Sequence, residues 1–325
     1  GNYIFHEENC LLQIVYATCM LIGWGLLMAY CYPLLPNLYM DQYHQNSGIL
    51  VFVTCVSSWW IACKSTPGII TKETIVRFDN YPYDDLLYTN VICPTVGIRK
   101  LPRSKYDRNT KGHVARFDHY CGWLGNTVGE ENYRWFLCFL VCHVGMFGYG
   151  TVALWLSLAS IVDESDLWNA KFYNAKTRQV IHTNGTVVMK FIINQQPMAA
   201  SLLLICAVLA TTLSMFVSFH LYLIYCGMTT NEFFKWGNVK RWYKEELKRF
   251  ELESAAQADL TKSNESDSAA ATKRVKKPMH PGLFPKNIYN GGFVNNMTEV
   301  LFPRSRRRDA KQKWLLDTLS VAEKE

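Results

Sequence analysis

From Leu202 to Tyr225 the chain runs 24 residues without one Asp, Glu, Lys or Arg. About 20 apolar residues in a helix are enough to cross the hydrocarbon layer of a bilayer. A helix apolar on every side has no face to offer water. Three further apolar blocks accompany this one. They are roughly Leu11–Tyr32, closed by Pro33 with Pro36 behind it, roughly Ser47–Cys63, closed by Lys64, and about Trp135–Val162. The expected fold is mainly α, a polytopic membrane protein with four transmembrane helices. The Trp59-Trp60 pair suits a bilayer interface or a packed bundle.

Charge orients these spans. Of 34 Lys and Arg residues, 11 fall in residues 64–134 and 19 in 227–325, against 4 in 163–198 and none in 33–46. Positive loops stay cytosolic. The segment between the second and third helices and both chain ends are therefore expected in the cytosol, with a lumenal loop over 163–197. The net charge of +7 flanks membrane segments and forms no basic face on a soluble domain, so no nucleic-acid partner is expected. Most of the eleven cysteines lie inside apolar blocks as small hydrophobes, unlike a secreted disulfide scaffold. The first block is long and lacks a basic flank and a small-residue cleavage site, so no cleavable signal peptide is expected. Asn184-Gly185-Thr186 offers a glycosylation acceptor in the lumenal loop.

The chain thus divides into transmembrane helices 1 and 2 (1–63), a cytosolic domain (64–134), helices 3 and 4 (135–226) and a cytosolic tail (227–325). In the tail, Trp236, Val239, Tyr243, Leu247 and Phe250 recur at helical spacing opposite Lys240, Arg241, Lys244 and Lys248. That predicts an interfacial helix over about 233–251, lying on the membrane or packed on the cytosolic domain. Residues 254–281 hold few large apolar side chains and are expected to be a disordered linker. Order is expected again over about 285–302, and Arg304–Arg308 is a basic cluster that anionic lipid would attract.

The chemistry-bearing run lies in the cytosolic domain. Arg116-Phe117-Asp118-His119-Tyr120-Cys121-Gly122-Trp123 puts a carboxylate, an imidazole and a thiol within four residues. A His that takes the thiol proton, with an Asp that fixes its tautomer, is the minimal set for thiol acyl chemistry. By itself the run also reads as two solvated loop polars beside a buried cysteine.

The stretch Cys93–Asn132 around it resembles the cysteine-rich domain of the DHHC protein S-acyltransferases. Thr66-Pro67-Gly68 resembles that family's Asp-Pro-Gly, with Thr for Asp. Thr229-Thr230-Asn231-Glu232 fits its Thr-Thr-x-Glu motif, and Asn287, Tyr289, Gly292 and Asn296 fit its C-terminal aromatic motif. Asn126, Gly129 and Asn132 also fit, while Gly122 departs from the usual Pro. The resemblance implies a small cytosolic cysteine-rich-type domain between helices 2 and 3. It implies transfer of palmitate from palmitoyl-CoA to protein cysteines through acyl-Cys121, with His119 and Asp118 as its catalytic partners. Arg99, Lys100, Arg103 and Lys105 offer charge for the CoA phosphates, and Thr229, Thr230, Glu232, Asn287, Tyr289 and Asn296 serve as structural motifs. The implied partners are the bilayer and membrane-associated substrates with juxtamembrane cysteines, with room for an accessory subunit. The implied location is the ER or Golgi, with the active site facing the cytosol.

The metal set departs from the family. Its two zinc ions each take three Cys and one His, in closed tetrahedra. The first set maps here to Cys93, Val96, Tyr106 and His113, the second to Asp107, Thr110, Tyr120 and Thr127. Tyr120 replaces the family's second His, giving a D-H-Y-C variant in which the triad stays while the ligands are lost. Zinc is expected to be absent, with Cys93 and His113 the residual pair. The alternatives are an inactive DHHC-like membrane adaptor, favoured by the missing ligands and Gly122, and a small transporter. A transporter would show ionisable residues inside its spans, where only His143 and His220 stand out.

Overall fold

The computed structural model describes residues 10–174, 176–264, 279–310 and 312. Helix α1 (Leu11–Tyr30) has no charged side chain and is about 30 Å long, the thickness of the hydrocarbon layer. It gives way to a 3₁₀ turn over Tyr32–Leu34, where Pro33 removes an amide donor. Helix α2 (Tyr43–Lys64) starts before the apolar block, in the polar run Tyr43–Asn46. Its Gly48 meets Tyr32 so closely that a Cβ there would lie 2.4 Å from the phenol oxygen.

Beyond α2 the chain is extended and held by short antiparallel pairings. β1 (Ile69–Ile70), a single helical turn α3 (Ile75–Phe78), β2 (Lys105–Asp107) and β3 (Gly112–Val114) build a sheet of order β1–β3–β2. Ile70 and Tyr106 both pair with His113. A separate hairpin joins β4 (His119–Cys121) to β5 (Asn126–Val128), with His119 opposite Val128 and Cys121 opposite Asn126. Pairings this short have little stability of their own, and side-chain amides fix them to the membrane helices. Asn126 Nδ2 donates to Ser65 O at 2.7 Å and to Ala62 O and Cys63 O at 3.2 Å, carbonyls left over where α2 ends. Asn132 accepts from Gly129 N and donates to Thr127 O, both at 2.8 Å. Gly129 has no room for a side chain, because a Cβ would sit 2.5 Å from Pro67 O.

Helix α4 (Tyr133–Glu164) leads back through the membrane zone. A loop follows with the two-stranded pair β6 (Phe172–Tyr173) and β7 (Val180–Ile181) and helix α5 (Gly185–Gln195). Asn184 caps α5 by accepting from Val187 N at 3.0 Å. Helix α6 (Pro197–Tyr225) packs along α4. With α1, α2 and α4 it completes four helices long and apolar enough to cross a membrane, making this an integral membrane protein. The core is continuous with the domain between α2 and α4: Phe136, Leu137 and Leu140 of α4 pack with Cys121, Leu124 and Val128 and with Ile224 of α6.

α6 ends at Gly227, which is in the left-handed region (φ +65°), and Met228 N donates back to Leu223 O at 2.9 Å. Helix α7 (Thr230–Asn264) then corrects one tail expectation. It continues past 251, so residues 254–264 are helical; of the expected linker, 265–278 lie outside the described residues. Its aromatic stripe meets the returning chain. Phe284 packs against Trp236 and Tyr243, His280 packs against Phe250, and Tyr243 donates its hydroxyl to Gly282 O at 2.9 Å. The returning chain thus packs on part of that stripe, with Trp236 buried and Val239, Tyr243, Leu247 and Phe250 half-buried. Finally, Asn287 and Asn296 donate to Cys226 O (2.9 Å) and Ile224 O (2.8 Å), closing the end of α6 and seating helix α8 (Phe293–Leu301).

Candidate active site

In a strand, residues two apart point to the same face. β4 therefore presents His119 and Cys121 together and sends Tyr120 to the other side, and the Cys121 thiol is among the groups that perturb the His119 ring. His119 Nδ1 lies 2.6 Å from Asp118 Oδ2. The other contacts of Asp118 come from across the molecule: Thr230 donates its amide to Oδ1 at 2.6 Å and its hydroxyl to Oδ2 at 2.8 Å. The carboxylate thus caps the N-terminus of α7, where unpaired amides favour a negative charge.

Burial penalises the ionised Asp118, but the hydrogen bond and charge of His119 and the Thr230 amide outweigh it, holding the carboxyl below its usual value. Burial likewise pulls the His119 imidazole down, and its bond to Asp118 and the neighbouring Cys121 thiol overcome this, raising it to about 9. Cys121 is 8% exposed and Asp118 3%. The His119 ring is partly exposed, so the site opens to the surface on that side.

The Thr-Thr-Asn-Glu run explains how Asp118 is held. Thr229 and Glu232 form a reciprocal capping box: Glu232 N donates to Thr229 Oγ1 at 3.2 Å and Thr229 N to Glu232 Oε2 at 2.9 Å. The same carboxylate takes Arg103 Nε and Nη2 at 2.8 and 2.6 Å and the Tyr88 hydroxyl at 3.1 Å. Arg103 is only 1% exposed, donates to Gly227 O at 3.0 Å, and lies against the Tyr81 and Tyr289 rings. Its expected role as a CoA-phosphate contact is therefore corrected, because its guanidinium is committed to Glu232 inside the protein. Tyr289 donates to Pro82 O at 3.0 Å, which ties the tail motif to the same aromatic nest. Arg99 is paired with Asp79 at the surface. Lys100 and Lys105 line a cavity whose walls do not include Asp118, His119 or Cys121.

Sequence reasoning missed His220. It is buried in α6, 2.8 Å from the Tyr133 hydroxyl through Nδ1, with its ring centroid 6.0 Å from that of His119. A lone His in an apolar span was its only signal. His143, by contrast, is a satisfied packing residue between Phe139 O (2.7 Å) and the Tyr16 hydroxyl (2.5 Å).

The donors at the two mapped zinc positions do not fit zinc. At the second, Asp107 Oδ2 accepts from Thr127 Oγ1 at 2.6 Å and from Thr110 N at 3.1 Å, with Tyr120 paired to Thr127 in the ladder. These are hard oxygen groups, one of them carrying charge. At the first, Val96 and Tyr106 offer no soft ligand beside Cys93 and His113. Among the described residues no three His, Cys, Asp or Glu side chains converge on a metal-sized position. Burial pushes the Cys93 thiol up, but the amides of Val96 and Thr95, bonded to it, bring it below its ordinary value.

A thiol, imidazole and carboxylate on a domain joined to four membrane-length helices suit thiol acyl chemistry. Residues 87–237 match the family model of the DHHC palmitoyltransferases, and the chain belongs to that family as a protein S-acyltransferase. It is 29% identical to palmitoyltransferase SWF1 of Yarrowia lipolytica over 79% of this chain and 70% of that protein. It is 27% identical to palmitoyltransferase swf1 of Schizosaccharomyces pombe, over 93% and 79%. With mouse palmitoyltransferase ZDHHC4 the identity is 28%, over 96% and 83%.

Proposed function

We propose that the chain carries palmitate from palmitoyl-CoA to cysteines of membrane-associated proteins through an acyl-Cys121 intermediate, on the cytosolic face of the ER or Golgi. The observation that carries this reading is the bonded series Thr230–Asp118–His119, with Cys121 on the same face of β4 as His119. In the first step His119 holds the Cys121 proton while the sulfur attacks the thioester carbonyl carbon. The carbon–sulfur bond to CoA breaks, and the departing CoA sulfur takes the proton from His119. In the second step a substrate thiol gives its proton to His119 and attacks the acyl carbon. The Cys121 sulfur leaves and recovers that proton. Asp118 orients the imidazole throughout and keeps its own charge.

The acyl chain would lie among α1, α2, α4 and α6, because each CH₂ left in water costs about 0.8 kcal/mol. Arg99, Lys100 and Lys105 remain the basic groups for CoA phosphates. Juxtamembrane substrate cysteines fit a nucleophile whose core is shared with the membrane helices. In this reading no structural zinc is needed, and an accessory subunit remains compatible with the domain. Near-stoichiometric zinc in purified protein would overturn the metal-free reading.

The test is autoacylation with a clickable palmitoyl-CoA beside Cys121→Ser, with and without neutral hydroxylamine. The expected result is a hydroxylamine-labile label absent from the variant. A label of wild-type intensity on Cys121→Ser would overturn the mechanism.

A further inference from the structure

Helix α8 is held by its polar side chains and leaves most of its apolar ones outside. Asn296 donates to Ile224 O at 2.8 Å and to Tyr225 O at 3.4 Å, carbonyls at the very end of α6. Arg134, in the first turn of α4, donates to Leu301 O at 3.0 Å. The helix therefore lies level with the ends of two membrane-length helices. Val300 is fully buried against those ends, in the core that holds Phe136 and Ile224. Glu299 faces the domain, where it accepts from Arg304 Nε at 2.7 Å and from the Tyr81 hydroxyl at 3.3 Å.

At 3.6 residues per turn, the side of α8 turned away from Glu299 carries Met297 and Leu301, flanked by Phe293 and Val294. Phe293, Val294, Leu301 and the following Phe302 are all exposed, Val294 to 74% and Phe302 to 63%. Side by side they form a contiguous apolar patch, unlike the scattered apolar side chains of an ordinary surface. The domain lies on the Glu299 side, so the patch faces the layer in which the spans begin. The charge beside it is positive. Arg304 and Arg306 are paired with Glu299 and Glu131, and among the described residues no carboxylate pairs with Arg307 or Arg308.

We propose that α8 is an interfacial helix. Its stripe of Phe293, Val294, Met297, Leu301 and Phe302 lies at the headgroup–acyl boundary on the domain's side of the bilayer, and Arg307 and Arg308 meet anionic headgroups there. This seat fixes the height of the domain. Just past α8, Ser305 donates its amide to Glu130 Oε1 at 2.9 Å and its hydroxyl to Glu131 Oε1 at 3.2 Å, on the segment that leads into α4. The seat requires only that the four helices span the membrane and does not depend on acyl transfer.

In the test, Val294, Phe302 or Asn295 of the full-length protein is replaced in turn by photoreactive p-benzoylphenylalanine. Asn295 is exposed but lies off the stripe. Each protein is irradiated in nanodiscs of phosphatidylcholine and phosphatidylserine and weighed intact. Lipid adducts are expected from positions 294 and 302 and none above the dark control from 295. At 302 the phosphatidylserine adduct should exceed its share of the bilayer about fivefold, the gain from one arginine near an anionic surface. It should fall back to that share in Arg307→Gln/Arg308→Gln. Equal adducts at all three positions, or none at 294 and 302, would overturn the proposal. So would a crosslinked species of twice the protein's mass, which would put a second copy of the chain on the stripe. Lipid adducts without phosphatidylserine enrichment would overturn the part given to the arginines.

Discussion

The two positions where relatives of this fold would carry a metal have parted company in this chain. At one, Asp107, Thr110 and Thr127 have closed on each other through hydrogen bonds, and the joint ties β2 to β5. At the other, Cys93 and His113 have lost their companions and a cavity is left, with an unpartnered imidazole nitrogen in its wall. The closed joint sits behind β4 and β5, the hairpin that carries His119 and Cys121. The open one is lined by β2, β3 and Lys235 of α7. Polar pairing is kept where the catalytic strand must be held still, and it lapses where the strand's geometry does not depend on it.

The sharpest test of that difference is on the paired side. Asp118→Asn leaves the size of the side chain but removes the charge that holds His119, and kcat for acyl transfer should fall by about three orders of magnitude or more. The sign of the pH effect follows from the same bond. With Asp118 present His119 is raised to about 9, so the stability from its protonated form is complete below about pH 6.5 and lost as pH rises through about 9. In the variant that alkaline limb should move toward lower pH. Melting temperature against pH with the limb unmoved would mean Asp118 is a bystander.

Next in size is Arg103→Met. It strands the Glu232 carboxylate, 1% exposed, without its partner, and breaking a buried pair in this way costs about 3–5 kcal/mol. Arg99→Met, at a half-exposed pair with Asp79, should cost less than about 1 kcal/mol. Thermal melting of the two variants should separate them clearly. Equal melting would show that burial of Arg103 is not what fixes α7 to the domain. Thr127→Val comes third: it keeps the volume and removes one bond from buried Asp107, for a loss of about 1–3 kcal/mol.

Much of this was legible in the chain. The four spans follow from apolar length alone, and the spacing of His119 and Cys121 makes chemical sense once the strand places both on one face. The Thr229–Glu232 capping box could also be read directly, since S/T-x-x-E before a helix is a local signal. What could not be read were the long-range partners. Nothing local distinguishes Arg103 from Arg99 or Lys105 in a basic run; only the fold, by bringing α7 across, buries one and leaves the others out. Residues 254–264 look like linker by composition, and they are helical as the continuation of a helix already nucleated and capped at Thr229. His220 carried no signal beyond its presence, because what matters is its nearness to a ring 101 positions earlier.

The smallest expected effect bears on the open position. A structural zinc contributes of order 10 kcal/mol to the fold that holds it, and losing a ligand or the metal unfolds such domains. Here Cys93 is bonded to the amides of its own turn, and that turn is already closed by Cys93 N to Ile98 O at 2.8 Å and Gly97 N to Cys93 O at 2.9 Å. Cys93→Ala should therefore cost only about 1 kcal/mol, a typical figure for a small buried substitution, and incubation with a strong zinc chelator should leave the melting temperature of the parent protein unchanged. A melting temperature that collapses in both experiments would restore a metal to this position. The comparison would then be between one joint replaced by hydrogen bonds and one still stapled, and the cavity would have its occupant.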